Sequence, residues 1–119
     1  MTALKTEVIP YLENMIYLPM ILTILERDRL LIQQGEFKLK KPYLGLVDDV
    51  AKRVHKELGN TAGYLRMNHL SVVRGKMDDI FTEYIFVHDH QQDCRRYLNV
   101  RLRNRTEELL TQYLRQPGI

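Results

Sequence analysis

Apolar residues recur along this chain with two different periods, and the switches between them mark out its elements. Val8, Leu12, Met15, Leu18, Leu22, Leu25 and Ile32 fall three, four or seven positions apart. That is the spacing of one helix face, and it predicts a long helix over residues 3–33. Pro10 and Pro19 each remove a backbone donor and crowd the carbonyl four residues back, so a kink or break is expected near one of them. From Met15 to Leu25, "MIYLPMILTIL", the helix is apolar on nearly every side. Such a helix lies at the centre of a fold or packs on a partner chain as well. After Gly35 the period drops to two: Phe37 and Leu39 alternate with Glu36, Lys38 and Lys40 up to Pro42. This predicts a short strand.

Helical spacing returns with Leu44, Val47, Ala51, Val54 and Leu58, a second helix over 43–58. Gly59-Asn60 tolerates a left-handed backbone and reads as its stop. Thr61 is then placed to cap a third helix over 61–73, in which Ala62, Leu65, His69 and Val72 or Val73 keep helical spacing. Residues 81–88 and 96–103 alternate and are rich in β-formers, predicting two strands joined by the polar "DHQQDC". Thr106 caps a last helix with Leu109, Leu110, Tyr113 and Leu114 as its stripe, stopped by Pro117-Gly118. Helices layered on a small antiparallel sheet make an α+β fold.

Length suits one domain spanning residues 1–119, and 45% apolar with 28% charged residues argues for a globular chain. The lone cysteine, Cys94, excludes an internal disulfide, so a cytoplasmic protein is expected. The run Met15 to Leu25 is shorter than the roughly twenty residues a spanning helix needs, so no membrane association is expected. No basic head precedes it, so a signal peptide is not expected either. The net charge of +3 tilts the choice of partner mildly toward phosphates.

The order helix, short strand, helix, helix, strand, strand, helix resembles the winged-helix members of the helix-turn-helix superfamily. The resemblance covers residues 3–115 and lies in element order alone. It implies that residues 61–73 form a recognition helix for duplex DNA and that the hairpin forms a wing. Tyr64, Arg66, Asn68 and His69 would then face base edges, where Arg pairs with guanine and Asn with adenine. "RRYLNVRLRNR", residues 95–105, carries five arginines. Arg95 and Arg96 at the hairpin end would hold phosphates. Arg101 and Arg103, further along the same strand, would pair with carboxylates such as Glu83.

Other chemistry finds less to stand on. His88, His90, Asp93 and Cys94 are competent metal ligands, but their spacing matches no finger or ribbon, so no metal or other cofactor is expected. Arg95 and Arg96 beside Cys94 would stabilise a thiolate and lower its pKa, the one feature pointing to a reactive thiol, against the commoner reading of an exposed bystander. No phosphate loop or nucleophile elbow is present, and no enzymatic activity is expected. The leading reading is therefore a small DNA-binding regulatory or accessory protein, a homodimer through its N-terminal helix. The rival is a protein-interaction or scaffold module that uses the same helix as its contact surface.

Overall fold

The computed structural model describes residues 4–116. A short 3₁₀ turn, Thr6–Val8, leads into α1 (Ile9–Gln34), which is followed by α2 (Lys40–Met67). Three strands come next, β1 (Leu70–Met77), β2 (Phe81–His88) and β3 (Gln91–Leu98), and α3 (Asn99–Arg115) closes the chain. The α+β class, the long N-terminal helix, the antiparallel hairpin over 81–98 and the C-terminal helix follow the pattern of the sequence. The expected start at residue 3 and the Pro117-Gly118 stop lie outside the described residues.

Helices α1 and α2 run antiparallel. Arg29, late in α1, donates to both carboxylate oxygens of Asp48, early in α2, at 2.7 and 3.3 Å. Asn14, early in α1, donates to the hydroxyl of Thr61, late in α2, at 3.3 Å. The helix α1 lies at the centre of the fold because it is apolar almost all round. Its Leu12, Ile16 and Tyr17 join Leu65, Leu70, Tyr84, Phe86 and Leu102 in one core cluster. Its Leu18, Ile21 and Leu25 join Val50, Val54 and Tyr113 in a second. By length and composition Thr6–Gln34 would suffice to cross a bilayer, a longer apolar stretch than the sequence reading allowed. Of that stretch Leu12, Ile16, Tyr17, Leu18, Ile21 and Leu25 are buried in the core.

Gly59-Asn60 does not end a helix. Helix α2 passes straight through it, and the expected helix over 61–73 divides into the end of α2 and the first half of β1. The buried positions explain this. Val50, Val54, Thr61 and Leu65 continue one stripe past the glycine, and the length of α1 supplies a surface for all of it. A helical glycine costs about 1 kcal/mol relative to alanine, less than burial of one leucine returns. Thr61 is therefore a buried mid-helix residue bonded to Asn14 rather than a cap. The helix ends later, where Asn68 donates through its side chain to the Tyr64 carbonyl at 2.8 Å and His69 turns left-handed with φ 57°.

Residues 36–39 are the turn between the two helices, not a strand. Among the described residues their alternation has no neighbouring strand to pair with. The second hairpin strand begins earlier than expected, at Gln91, because Asp89-His90 makes a two-residue turn with Asp89 at φ 55°. The amide of Asp89 donates to the His69 carbonyl at 3.1 Å, docking this turn on the end of α2. The strand also ends earlier, at Leu98, so Arg101 and Arg103 stand on α3. Thr106 is not a cap either. It is buried in the middle of α3, and its hydroxyl donates to the Leu102 carbonyl at 2.7 Å.

The sheet is a meander ordered β1-β2-β3. Thr82, Tyr84 and Phe86 of β2 face the helices and are buried. Tyr97 lies opposite Thr82, Arg95 opposite Tyr84 and Asp93 opposite Phe86, so all three share that inner face. On the outer face Arg96 lies opposite Glu83 and Cys94 opposite Ile85.

Candidate interaction groove

Helices α1 and α3 meet near Ile16, Leu102 and Thr106 and leave an open groove beside that junction. It has a volume of about 780 Å³. One wall is the α1 stripe Met15, Pro19, Met20, Thr23 and Ile24; the other is the α3 stripe Asn99, Arg103, Glu107 and Leu110. Both sets follow helical spacing, so each wall is one continuous face. The sheet closes the remaining side with Arg74, Met77, Thr82 and Tyr84. Methionine has no branch and a polarisable sulfur, so three of them make a floor that adapts to whatever packs against it. Pro19, in the interior of α1, adds an apolar ring to this wall and leaves the Met15 carbonyl without its helical amide donor, whereas Pro10 sits in the first turn, where no amide is needed; the helix continues through both.

The groove is apolar inside and charged at its rim. Ile24 and Met77 are 39% and 63% exposed, large apolar side chains left open to water. Arg103 and Glu107 stand one turn apart on the exposed side of α3. Arg74 lies opposite Tyr84 in the sheet. Burial raises the pKa of the Tyr84 phenol above its ordinary value, with the Arg74 charge pulling weakly the other way. Asn99 organises the sheet end of the groove. It accepts from the Thr82 hydroxyl at 2.6 Å and donates through Nδ2 to the Asp78 carbonyl at 2.8 Å.

The residues expected to read DNA are not brought together on one helix face. Tyr64 is half-buried and stacked on Tyr11 of α1, ring centroids 3.7 Å apart. Arg66 is exposed in the last turn of α2, and Asn68 and His69 form its C-terminal cap. Arg95 and Arg96 stand on opposite faces of β3, four and five residues past the start of that strand. Arg95 is ion-paired with Asp93 at 3.0 Å and lies over the Phe86 ring. Arg96 lies over the Phe81 ring at 4.1 Å. The carboxylate opposite the basic strand, Glu83, faces Arg96 rather than Arg101 or Arg103.

Among the described residues no group of three or more His, Cys, Asp and Glu is arranged to hold a metal ion. His88 lies 3.6 Å from the carboxylate of its neighbour Asp89 at the start of the turn. Cys94 is exposed, and its pKa is raised rather than lowered, chiefly by a hydrogen bond with Glu83. The arginines beside it are engaged with Asp93 and Phe81, which leaves the Glu83 carboxylate as the stronger influence.

The apolar wall on α1 was legible in "MIYLPMILTIL". The α3 wall was not, because residues 99–103 alternate like a strand; Leu102, Thr106 and Tyr113, at helical spacing, were the signal to follow.

A family model described as YhjD protein matches residues 3–118. The chain is also similar to the uncharacterized protein YhjD of Bacillus subtilis (strain 168), 36% identical over 117 residues and covering 98% of each chain. No solved structure matches it. A family model and a relative that both span nearly the whole chain place this protein in the YhjD family.

Proposed function

We propose that this protein is a protein-interaction module that pairs with a second copy of itself through the groove between α1 and α3. The observation that carries the reading is the groove's own composition, an open methionine-rich floor with Arg103 and Glu107 on one rim. A two-fold axis places the same patch on both sides of an interface, so residue i meets j and j meets i. Opposite charges one helical turn apart satisfy that condition. When two copies of α3 cross antiparallel, Arg103 of each faces Glu107 of the other, and the apolar floors cover one another. Exposed apolar surface rimmed by charge is what an unpaired interface presents.

The test is the mass in solution, by light scattering on a sizing column over a range of concentrations. Wild-type protein is expected at twice the chain mass. Ile24→Glu and Leu110→Glu, which place a carboxylate in the floor at partly exposed positions, are expected to yield folded monomer. A monomeric wild type at high concentration overturns the reading, as does a dimer that both variants leave intact.

The duplex-DNA reading draws on other residues, Arg66, Asn68, Arg95 and Arg96. It predicts binding that weakens steeply with salt as phosphate contacts release counterions. A duplex titration at low ionic strength on the same preparations separates it from the groove.

A further inference from the structure

The end of the molecule away from the sheet has no role in the groove, yet it gathers six exposed large apolar side chains. The turn between α1 and α2 and the adjoining helix ends carry Leu30, Leu31, Phe37, Leu39, Tyr43 and Leu46, between 46% and 68% exposed. The lysines are interleaved with them: Phe37-Lys38-Leu39-Lys40-Lys41. Glu36 is the single acidic residue from position 30 to 46.

This tip is built, not frayed. The Phe37 ring packs so closely on Gly35 that a Cβ there would stand 2.8 Å from Cε2. Its other side meets the Tyr43 ring at 5.6 Å between centroids. Lys40 donates to the Gln33 carbonyl at 2.8 Å, closing the end of α1. The Arg29–Asp48 pair clips the two helices together just behind. The apolar side chains are thus held outward by a rigid support.

We propose that this hairpin tip docks on the surface of an anionic phospholipid bilayer. The turn is short and convex and stands at one end of a molecule whose long dimension is 58 Å. That shape suits insertion into a soft interface better than the broad flat contact a protein partner needs. Phe37, Leu39 and Tyr43 would enter the boundary between headgroups and acyl chains, where amphipathic aromatics settle. Lysine stems would lie along that apolar surface with the ammonium groups raised to the phosphates. The charge on the tip is complementary to acidic lipid.

Co-sedimentation of the full chain with vesicles tests this, using neutral phosphatidylcholine alone and with phosphatidylglycerol added. Wild-type protein is expected to pellet with the anionic vesicles, not with neutral ones, and to be released by high salt. Leu39→Asp, at the exposed N-cap position of α2 where an aspartate is favoured for the fold, should lower the partition coefficient by about tenfold or more. Lys38→Glu with Lys41→Glu should lower it by a similar factor, since each lysine near an anionic surface contributes roughly a fivefold preference. Absence of binding to anionic vesicles overturns the proposal, and so does binding that neither variant weakens. Capture by soluble polyglutamate but not by vesicles would assign the tip to an acidic protein instead, and overturns it equally.

Discussion

The hydroxyl of Tyr97 donates to Oε2 of Glu13 at 3.0 Å, joining β3 to α1 across 84 positions of sequence. Tyr97 also meets Tyr84 edge-on, with centroids 5.8 Å apart, so its ring is packed as well as bonded. Replacing it with phenylalanine keeps the ring and removes the bond to a charged acceptor. A half-buried bond of this kind contributes about 1 kcal/mol. Tyr97→Phe is therefore expected to lower the urea midpoint modestly without changing the slope of the transition. Glu13→Ala should cost about as much.

Alkaline pH should expose the same relationship. Burial first, then the Glu13 charge and hydrogen bond, raises the Tyr97 pKa. Burial likewise raises Tyr17, Tyr84 and Tyr113, the last also through its hydrogen bond to Glu57. A group whose folded pKa lies above its unfolded value stabilises fully below that unfolded value, about 10 for tyrosine. The contribution is lost as pH rises through the folded pKa. Stability should fall steadily above about pH 10. In an absorbance titration these four phenols should ionise together with unfolding; ionisation of all four in a folded chain would contradict the packing described.

Asn99 is the hinge pin between the β1–β2 turn and α3. Besides its side-chain bonds to Thr82 and Asp78, its amide donates to the Ile80 carbonyl at 2.8 Å. Asn99→Ala leaves the Asp78 carbonyl and the buried Thr82 hydroxyl without this partner, at a cost of about 1–3 kcal/mol. Thermal melting measures it. Asp78 adds an acid-side effect, because the amides of Phe81 and Ile80 bond its carboxylate and depress its pKa. Its support is present above the ordinary carboxylate pKa and fades as pH falls through the lower folded value.

Gly59→Ala distinguishes one continuous helix from two joined at a turn. Gly59 is exposed inside α2 with open space where a Cβ would stand. Alanine there should stabilise by about 0.5–1 kcal/mol. Destabilisation would mean that the backbone departs from helix at that position.

Charge reversal at the groove gives a self-checking prediction. Arg103→Glu alone or Glu107→Arg alone places like charges together twice in the proposed dimer and should shift it toward monomer. The double variant restores both pairs in reversed sense. Sedimentation equilibrium should show each single change weakening association by about tenfold and the double change recovering most of it.

Periodicity determined a good part of this protein. The long apolar spacing from Val8 to Ile32, the strand over 81–88 and Leu109, Leu110 and Tyr113 of the last stripe needed nothing beyond the chain to be read, because each follows one period, although Leu114 of that stripe is exposed. Tertiary structure decided the places where local signals were short or divided. Gly59-Asn60 has the composition of a helix stop, but Thr61 and Leu65 have α1 to pack against, and their burial outweighs the glycine's preference. Residues 36–40 alternate like a strand, but a strand requires a neighbour for its backbone bonds, and none of the described residues offers one there. Asn99 to Arg103 alternates as well as any strand, yet Leu102 and Thr106 face Ile16 and Met20 only if the backbone is helical. The groove belongs wholly to this second category. Its two walls lie more than seventy residues apart, and only their packing on a common core sets one opposite the other.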